Sequence, residues 1–439
     1  MSARMSALRV LSACQNGGAW ADAALMAELN RKKLPAQDSA LTSRLVYGVM
    51  QTQMLLDYYL SSFCSQRLDH LQQPLPNILR IGAYQILFLD RVPDRAAVNE
   101  SVRLAKEAGR GAAVGLVNAV LRELARNKRD LPPLPADPSE RISVQTSHPR
   151  WLVERMAGIL GLRGAEDFLV AGNQIAPITI LVNPLKTTAD DLRRALSGAG
   201  IQAKAHEWVP DCLELGGVGS LTALPSFCRG EFTVQDAAAQ LVSHAAGVRS
   251  GMRVLDVCAA PGGKAFSAAF AMRDSGSVTA CDLHEKKLGR IREGAERLGI
   301  TCIDTVAADG RIFHPEWEKR FDAVICDVPC SGLGIIRKKP DIRYKKPDTL
   351  VDLPGIQCAI LDNASRYVKP GGVLMYSTCT VLPDENTAVT DAFLMRHETF
   401  RYEGFELPNG HGSSDGFVTL WPHLHRTDGF YIAKMRRRA

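Results

Sequence analysis

From about residue 236 onward, short apolar segments typical of buried strands alternate with segments whose apolar residues recur at helical spacing. The pattern predicts five strands, at 253–257, 277–282, 302–309, 321–327 and 372–379, and an edge hairpin formed by 417–420 and 429–434. Strands that alternate with helices build a parallel sheet covered on both faces. Residues 236–439 are therefore predicted to form a doubly wound α/β domain.

The first 130 residues have a different pattern, with apolar residues at helical spacing and no strand-like alternation. This pattern predicts an all-helical domain over 1–130. Four prolines within residues 131–138 predict a stiff linker, which we place at 131–143. Residues 144–235 combine helical segments with short strand-like segments and predict a small α+β module.

The composition argues against several classes of protein. No apolar segment is long enough to span a bilayer, and the N-terminus lacks the apolar core of a secretory signal. The eleven cysteines are scattered, odd in number and without a CxxC pair, which argues against a disulfide framework or a metal site. We therefore expect a protein of the reducing cytoplasm that binds neither membrane nor metal. We also expect a monomer, although the sequence does not determine the oligomeric state.

Two cysteines, Cys330 and Cys379, stand at the carboxyl ends of two predicted strands, in the sequences Pro-Cys-Ser-Gly and Ser-Thr-Cys. Because parallel α/β sheets place their chemistry at the carboxyl ends of their strands, the two thiols are expected to face one pocket. One thiolate could attack a substrate there while another group moves a proton. The alternative is that both are ordinary core cysteines, which are commonly buried.

A glycine-containing turn joins the first predicted strand of this domain to its helix. Its seven residues are Cys258, Ala259, Ala260, Pro261, Gly262, Gly263 and Lys264. The two glycines let the backbone approach a ligand at the helix N-terminus. The turn has neither the GxGxxG spacing of dinucleotide sites nor a phosphate-binding P-loop pattern, so neither NAD nor ATP is the expected ligand.

Acidic residues at the ends of the next two strands complete this predicted cofactor site. Asp282 can accept hydrogen bonds from ribose hydroxyls, and Asp309 can meet an adenine amino group. An acidic rim of this kind suits a cationic nucleoside without phosphates, such as S-adenosyl-L-methionine. Each aspartate taken alone is equally compatible with capping the helix that follows it.

A basic segment follows the Pro-Cys sequence directly. Between 337 and 348 it contains six basic residues against two aspartates: Arg337, Lys338, Lys339, Arg343, Lys345 and Lys346. Next to a catalytic motif, such residues favour a substrate that carries phosphates. The alternative interpretation is a solvated charged surface.

The ordered motifs of the C-terminal domain resemble those of the RNA cytosine-C5 methyltransferases. They are CAAPGGK at 258–264, ACD at 280–282, AADG at 307–310, DVPCSGLG at 327–334, RKKPDIRY at 337–344 and STCT at 377–380. The N-terminal sequences AAVNESVRLAK (96–106) and GLVNAVLRELAR (115–126) are similar to a NusB-type RNA-binding domain. Together they resemble the Sun/Fmu (RsmB-type) 16S ribosomal RNA methyltransferases. Val328 and Ala265 stand where family members commonly have Ala and Thr, and neither change removes a reactive group.

The resemblance implies a Rossmann-like catalytic domain, a ferredoxin- or RRM-like RNA-binding module at 144–235, and S-adenosyl-L-methionine as cofactor. It implies that Cys379 attacks carbon 6 of a cytosine and that Cys330 assists release of the product. It also implies that Asp327 contacts the cytosine edge and the cofactor, and that Lys264 contacts either the cofactor carboxylate or the base. The expected partner is 16S ribosomal RNA, naked or in an early assembly intermediate.

Three other functions remain open from the sequence. Transfer RNA or 23S ribosomal RNA could be the substrate of the same chemistry. A dehydrogenase is disfavoured because GxGxxG is missing and the paired cysteines would be unexplained. A non-catalytic RNA-binding assembly factor is disfavoured because no reactive residue of the motifs has been lost.

Overall fold

The computed structural model describes residues 2–17 and 19–439 of the chain. The chain divides into two compact units. Unit 1 contains the residues up to Gln174 together with Ile336–Lys345, and unit 2 contains Ile175–Ile335 and Lys346–Ala439. Within the described residues, no helix has the length and apolar character that crossing a membrane requires.

Unit 1 is helical. Its helices are α1 (Ala3–Gly17), α2 (Ala21–Lys32), α3 (Ala36–Phe63), α4 (Leu75–Phe88), α5 (Asp94–Glu107), α6 (Val114–Asn127), α7 (Pro138–Thr146) and α8 (Arg150–Ala171). Helix α4 is central, because every residue from Leu75 to Ile86 is buried. The neighbouring α6 is amphipathic and buries only Val117, Val120, Leu121 and Leu124. The helical N-terminal domain predicted from the sequence is confirmed.

Two predicted domain boundaries do not coincide with the elements and compact units of the structure. The predicted linker at 131–143 contains the start of α7, whose N-cap Asp137 accepts a hydrogen bond from the backbone N–H of Glu140 at 2.8 Å. Residues 144–174, predicted as the beginning of the α+β module, are mostly helical in α7 and α8 and lie in unit 1. The basic segment also differs from expectation, because its residues 336–345 are part of unit 1, where Pro340–Tyr344 form a 3₁₀ turn.

Unit 2 begins with the small α+β module. Its elements are β1 (Ile178–Val182), α9 (Ala189–Gly198), β2 (Gln202–Ala205), β3 (Cys212–Gly216), α10 (Pro225–Cys228) and β4 (Phe232–Val234). The four strands form an antiparallel sheet in the order β2-β3-β1-β4. The hydroxyl of Thr188 caps α9 by accepting the backbone N–H of Asp191.

The doubly wound α/β domain fills the rest of unit 2. Its strands are β5 (Arg253–Asp256), β6 (Ser277–Asp282), β7 (Ile303–Ala307), β8 (Phe321–Asp327), β9 (Val368–Thr378), β10 (Phe400–Tyr402), β11 (Phe405–Glu406), β12 (Ser413–Ser414), β13 (Phe417–Leu420) and β14 (Phe430–Arg437). Its helices are α11 (Ala237–Ala246), α12 (Gly263–Ala271), α13 (Glu285–Leu298), α14 (Leu353–Ser365), α15 (Thr387–Arg396) and α16 (Pro422–His425). The main sheet has the order β10-β14-β9-β8-β5-β6-β7, with β13 paired to β14.

Strands β5 to β9 are parallel, and β14 joins β9 antiparallel. Successive residues of one strand face opposite helical layers: Ala323 packs with α11 to α13, whereas Val324 packs with α14 and α15. Burial on both faces explains why residues 323–326 of β8 form a continuous apolar segment in the sequence. The doubly wound fold class predicted from the sequence is confirmed.

Candidate active site

The two cysteines singled out by the sequence lie against each other. In the pairing of β8 with β9, Asp327 stands opposite Ser377, so the two strands end side by side. The sulfur atoms of Cys330 and Cys379 are 3.3 Å apart. The neighbouring Cys379 sulfur, followed by burial, holds the pKa of the Cys330 thiol well above its usual range. The loops after two adjacent strands therefore bring two thiols into contact.

A lysine–carboxylate pair lies in the same part of the domain. The Nζ atom of Lys264 is 2.6 Å from Oδ2 of Asp327, and the hydroxyl of Ser377 donates to Oδ1 of Asp327 at 2.8 Å. Lys264 Nζ also lies 5.1 Å from the centroid of the Phe430 ring, within cation–π distance. The sequence left the role of Lys264 open; in the structure its ammonium group pairs with Asp327.

The predicted cofactor turn joins β5 to α12, and its backbone conformation depends on glycine. Gly262 has φ of +114°, and a Cβ atom there would lie 2.5 Å from the ring of Phe266. Gly262 is the N-cap residue of α12, so the backbone N–H groups of the first helical turn are available to a ligand.

A buried carboxylate lies at the start of this turn. Asp256 ends β5, is completely buried, and makes no hydrogen bond through either carboxylate oxygen to the described residues. Burial raises the pKa of Asp256 to about 7; the Lys264 ammonium and the nearby backbone N–H of Cys258 oppose this increase. A buried carboxyl group without a hydrogen-bond partner could be compensated by the positive charge of a bound cationic ligand.

The two predicted ribose and adenine contacts, Asp282 and Asp309, follow the ends of β6 and β7. Asp282 is buried and accepts the backbone N–H of His284 at 3.0 Å. Asp309 is bonded by the guanidinium of Arg311, at 2.6 Å from Nη2, and this bond lowers the pKa of Asp309. Both carboxylates thus also make local contacts, and both stand at the carboxyl edge of the sheet, where the turn after β5 lies.

The six predicted RNA-binding residues differ in their exposure to solvent. Arg343 is completely buried in unit 1, and its guanidinium donates hydrogen bonds to surrounding backbone and side-chain oxygens. The prediction that Arg343 binds RNA is therefore wrong, because no donor of this buried group faces solvent. Arg337, Lys338 and Lys345 are half-buried, and only Lys339 and Lys346 are exposed.

Sequence reasoning missed the polar groups that hold the Cys330 loop. Glu385 accepts the backbone N–H of Ser331 at 2.8 Å, and Gln357 donates to the carbonyl of Pro329 at 3.0 Å. The hydroxyl of Ser331 donates to that of Thr380 at 2.7 Å. Ser331 and Thr380 adjoin the two cysteines and could have been inferred from that position, whereas Glu385 and Gln357 have no distinguishing pattern in the sequence.

Comparison with known proteins places this geometry in a family. Residues 246–436 match the family described as 16S rRNA methyltransferase RsmB/F, 1–126 match the NusB family, and 148–222 match the RsmF/B-like ferredoxin-like domain. A probable ribosomal RNA small subunit methyltransferase B from Bacillus subtilis (strain 168) is 36% identical over 450 residues, covering 100% of this chain and 99% of the relative. The chain belongs to the RsmB/F methyltransferase family.

Further relatives and solved structures agree with this membership. A probable ribosomal RNA small subunit methyltransferase B from Synechocystis sp. (strain PCC 6803) is 34% identical and covers 100% of both chains. The crystal structure of PH0851 matches with a TM-score of 0.84 at 26% identity, covering 100% of this chain and 99% of its own. NSun6 from Pyrococcus horikoshii with SFG shares the fold over 66% of this chain, with a TM-score of 0.58 at 20% identity.

Membership in the RsmB/F family confirms the predicted enzyme class. The protein is an RNA methyltransferase, and S-adenosyl-L-methionine is its cofactor. The dehydrogenase and the non-catalytic assembly factor considered from the sequence are thereby disfavoured. The residue roles implied by the resemblance stay predictions.

The two exposed lysines of the basic segment give a testable prediction about RNA affinity. We expect the double variant Lys339→Ala, Lys346→Ala to reduce the slope of log affinity against log salt by roughly 1.4–1.8, the value for two lost phosphate contacts. The slope is measured by filter binding at several salt concentrations. As a control, Lys319 and Arg320 are exposed at the opposite end of β8, and their double alanine variant should leave it unchanged. An unchanged slope in the first variant would mean that Lys339 and Lys346 belong to a solvated charged surface and do not contact RNA phosphates.

Proposed function

We propose that the protein methylates carbon 5 of a cytosine in 16S ribosomal RNA through a covalent bond between a cysteine sulfur and carbon 6. The observation that carries this proposal is the 3.3 Å separation of the Cys330 and Cys379 sulfur atoms beside the Lys264–Asp327 pair. Two thiols at one point suit a reaction that must both form and break a carbon–sulfur bond.

The residues around the turn after β5 fit S-adenosyl-L-methionine. The N-terminus of α12 suits its carboxylate, and a cationic ligand would stabilise the ionised form of Asp256, whose buried carboxyl makes no hydrogen bond to the described residues. We assign Cys258, Ala259, Ala260, Pro261, Gly262, Gly263, Lys264, Asp282, Asp309 and Asp327 to its binding. When bound, the cofactor supplies the methyl group that carbon 5 takes.

Cys379 is the proposed nucleophile. Carbon 5 of cytosine is a poor nucleophile by itself, and a bond from the Cys379 sulfur to carbon 6 makes carbon 5 enamine-like. Asp327 is placed to accept hydrogen bonds from the cytosine edge and to favour a proton at nitrogen 3, which makes the ring more electrophilic. The hydrogen bonds from Lys264 and Ser377 hold both oxygens of Asp327, so that its carboxylate has one orientation.

Cys330 is the proposed group for release. The Cys379 sulfur is the largest cause of the raised pKa of Cys330. Once Cys379 is bonded to carbon 6, its sulfur can no longer carry a thiolate charge, so Cys330 passes its own proton to solvent water more readily and becomes a thiolate. The Cys330 sulfur can then take the proton from carbon 5, and the electron pair of that carbon–hydrogen bond expels the Cys379 thiolate and restores the ring.

The substrate is argued from the family. The N-terminal domain belongs to the NusB family, and full-length relatives are named as methyltransferases of the ribosomal small subunit. We therefore propose 16S ribosomal RNA as substrate, naked or in an early assembly intermediate, and the reducing cytoplasm as the place of action. All eleven cysteines are free thiols, in keeping with that compartment. The target cytosine must leave its stack or lie in a loop to reach Cys379.

The experiment that tests this proposal traps the covalent bond. The variant Cys330→Ala should form the bond to carbon 6 and release it slowly, so that a protein–RNA band of reduced mobility accumulates in a denaturing gel. The variant is incubated in parallel with 16S, 23S and transfer RNA, and only 16S RNA should give the band. A band with transfer RNA alone or 23S RNA alone changes the substrate, and no band with any RNA contradicts the covalent mechanism.

A further inference from the structure

The loop that carries Cys330 is held on both sides of the cysteine by two buried polar side chains. Glu385 ends a 3₁₀ turn at Pro383–Glu385 and is 2% exposed, and Gln357 lies on α14 and is fully buried. The Oε2 atom of Glu385 accepts the backbone N–H of Ser331 at 2.8 Å. The Nε2 atom of Gln357 donates to the carbonyl of Pro329 at 3.0 Å. The residues immediately before and after Cys330 are thus both fixed.

The two side chains also bond to each other. Gln357 Nε2 donates to Oε2 of Glu385 at 2.9 Å, so one connected group, here called the Glu385–Gln357 clamp, holds the loop. A second connection reaches the other cysteine, because Ser331 bonds through its hydroxyl to Thr380, the residue after Cys379. Buried hydrogen bonds to a carboxylate fix geometry more strongly than neutral ones.

Glu385 also affects the chemistry of Cys330. Its negative charge adds to the effects of the Cys379 sulfur and of burial in raising the pKa of the Cys330 thiol. One carboxylate oxygen of Glu385, Oε1, makes no hydrogen bond within the described residues and is not exposed. A charged group buried in this way would be costly if its only purpose were to hold a loop, since an amide could accept the same two hydrogen bonds.

We propose that Glu385 and Gln357 are positioning residues for the release step: their clamp keeps the Cys330 sulfur against the Cys379 sulfur while the product is expelled. This inference rests on the proposed function, in which Cys330 takes the proton from carbon 5. Neither side chain touches the substrate in this assignment. Both act on Cys330 through the backbone on either side of it, and Glu385 acts through its negative charge as well.

The first test compares adduct formation with adduct release in single-turnover reactions with 16S RNA. Glu385→Ala removes the acceptor of two hydrogen bonds, so we expect release to slow roughly 10- to 100-fold while adduct formation changes far less. Gln357→Ala should also slow release of the adduct. The control Glu398→Ala alters an exposed glutamate and should behave as the unchanged protein. Release at the unchanged rate in both clamp variants, alongside a stable adduct in Cys330→Ala, contradicts the inference.

The second test uses the conservative variant Glu385→Gln, which keeps an acceptor for Ser331 and Gln357 but removes the charge. Without that negative charge the Cys330 thiol loses its proton more easily, so the rise of the release rate with pH should move to lower pH. If Glu385 has a purely structural role, the pH dependence of the release rate should be the same in Glu385→Gln as in the unchanged protein. That result overturns the inference, and it can be obtained even if Glu385→Ala fails to fold. If Cys330→Ala itself traps no adduct, that result contradicts the proposed covalent mechanism. The role of the Glu385–Gln357 clamp is contradicted only when Cys330→Ala traps an adduct and the clamp variants release theirs at the unchanged rate.

Discussion

Replacing Cys379 with alanine should lower methyl transfer by on the order of 10⁴-fold or more, the loss typical of a removed nucleophile. No other described group occupies the position of its sulfur, and the nearby Cys330 thiol is held in its own loop by the bonds to Pro329 and Ser331. The cofactor turn at 258–264 is untouched, so S-adenosylhomocysteine should raise the melting temperature of the variant as it does that of the unchanged protein.

The measurement uses the cell as well as the purified enzyme. In a strain that lacks the gene, bisulfite sequencing of ribosomal RNA should find one 5-methylcytosine missing from 16S RNA. The unchanged gene should restore it, and Cys379→Ala should not. Cys228→Ala is a matched control, because that thiol is exposed on the small module of unit 2. If Cys379→Ala restores the 5-methylcytosine, Cys379 is not the nucleophile. If Cys379→Ala traps a protein–RNA adduct and Cys330→Ala does not, the roles assigned to the two cysteines are exchanged.

The arrangement of strands and cysteines could be predicted because its causes are local in the sequence. Residues 323–326 are apolar without interruption because both faces of β8 are covered there, and the predicted and observed bounds of the strand, 321–327, agree. Parallel order then brings the ends of β8 and β9 together, which is why Cys330 and Cys379 meet. The pairing of Lys264 with Asp327 could not be predicted in the same way, because it depends on side-chain reach across a site and not on periodicity.

The groups that hold the Cys330 loop were not predictable, because each lies far from the loop in the sequence. Gln357 and Glu385 are 28 and 54 residues from the loop residues that they bond. Each stands among ordinary helical or turn residues, and a single buried glutamate has no spacing that distinguishes it from an exposed one. Its burial is a property of the assembled domain alone.

Arg343 is the residue for which the sequence and the structure predict opposite experimental results. As one of six basic residues in a short segment, it was expected to contact phosphates. In the structure its guanidinium lies at the carboxyl ends of α7 and α8. It donates to the carbonyls of Thr146, Ser147 and Gly172 at 3.4 to 3.5 Å, and to Oδ1 of Asn173 at 2.7 Å.

The carbonyls at a helix carboxyl end have no partner within the helix, and a cation there also opposes the helix dipole. Arg343 satisfies such carbonyls for two helices at once, and it bonds the carbonyl of Gln51 on α3 at 3.0 Å. Burial lowers the pKa of Arg343 to about 10, which leaves the guanidinium charged at neutral pH. The segment 336–345 is therefore attached to unit 1 by one residue that bonds three of its helices.

Arg343→Met should accordingly destabilise the protein by roughly 3 kcal/mol or more, because buried acceptors at three helices lose a charged donor and each unsatisfied one costs about 1–3 kcal/mol. A loss of this size lowers the melting temperature by about 10 °C or more in a unit of this length. Arg343→Lys should restore little, since one ammonium group cannot reach acceptors on three helices. Thermal unfolding measures the effect, and Lys339→Ala, an exposed change in the same segment, should leave the melting temperature unchanged.

The same variant decides between the two interpretations of this segment, because each predicts a change in a different measurement. If Arg343 contacted phosphates, its loss would reduce the salt dependence of RNA binding by about one unit of slope and leave the melting temperature in place. If it joins the ends of α7 and α8, the melting temperature falls, and the salt dependence of the protein that remains folded is unchanged. The buried position of Arg343 and its bonds to three helices favour the second result.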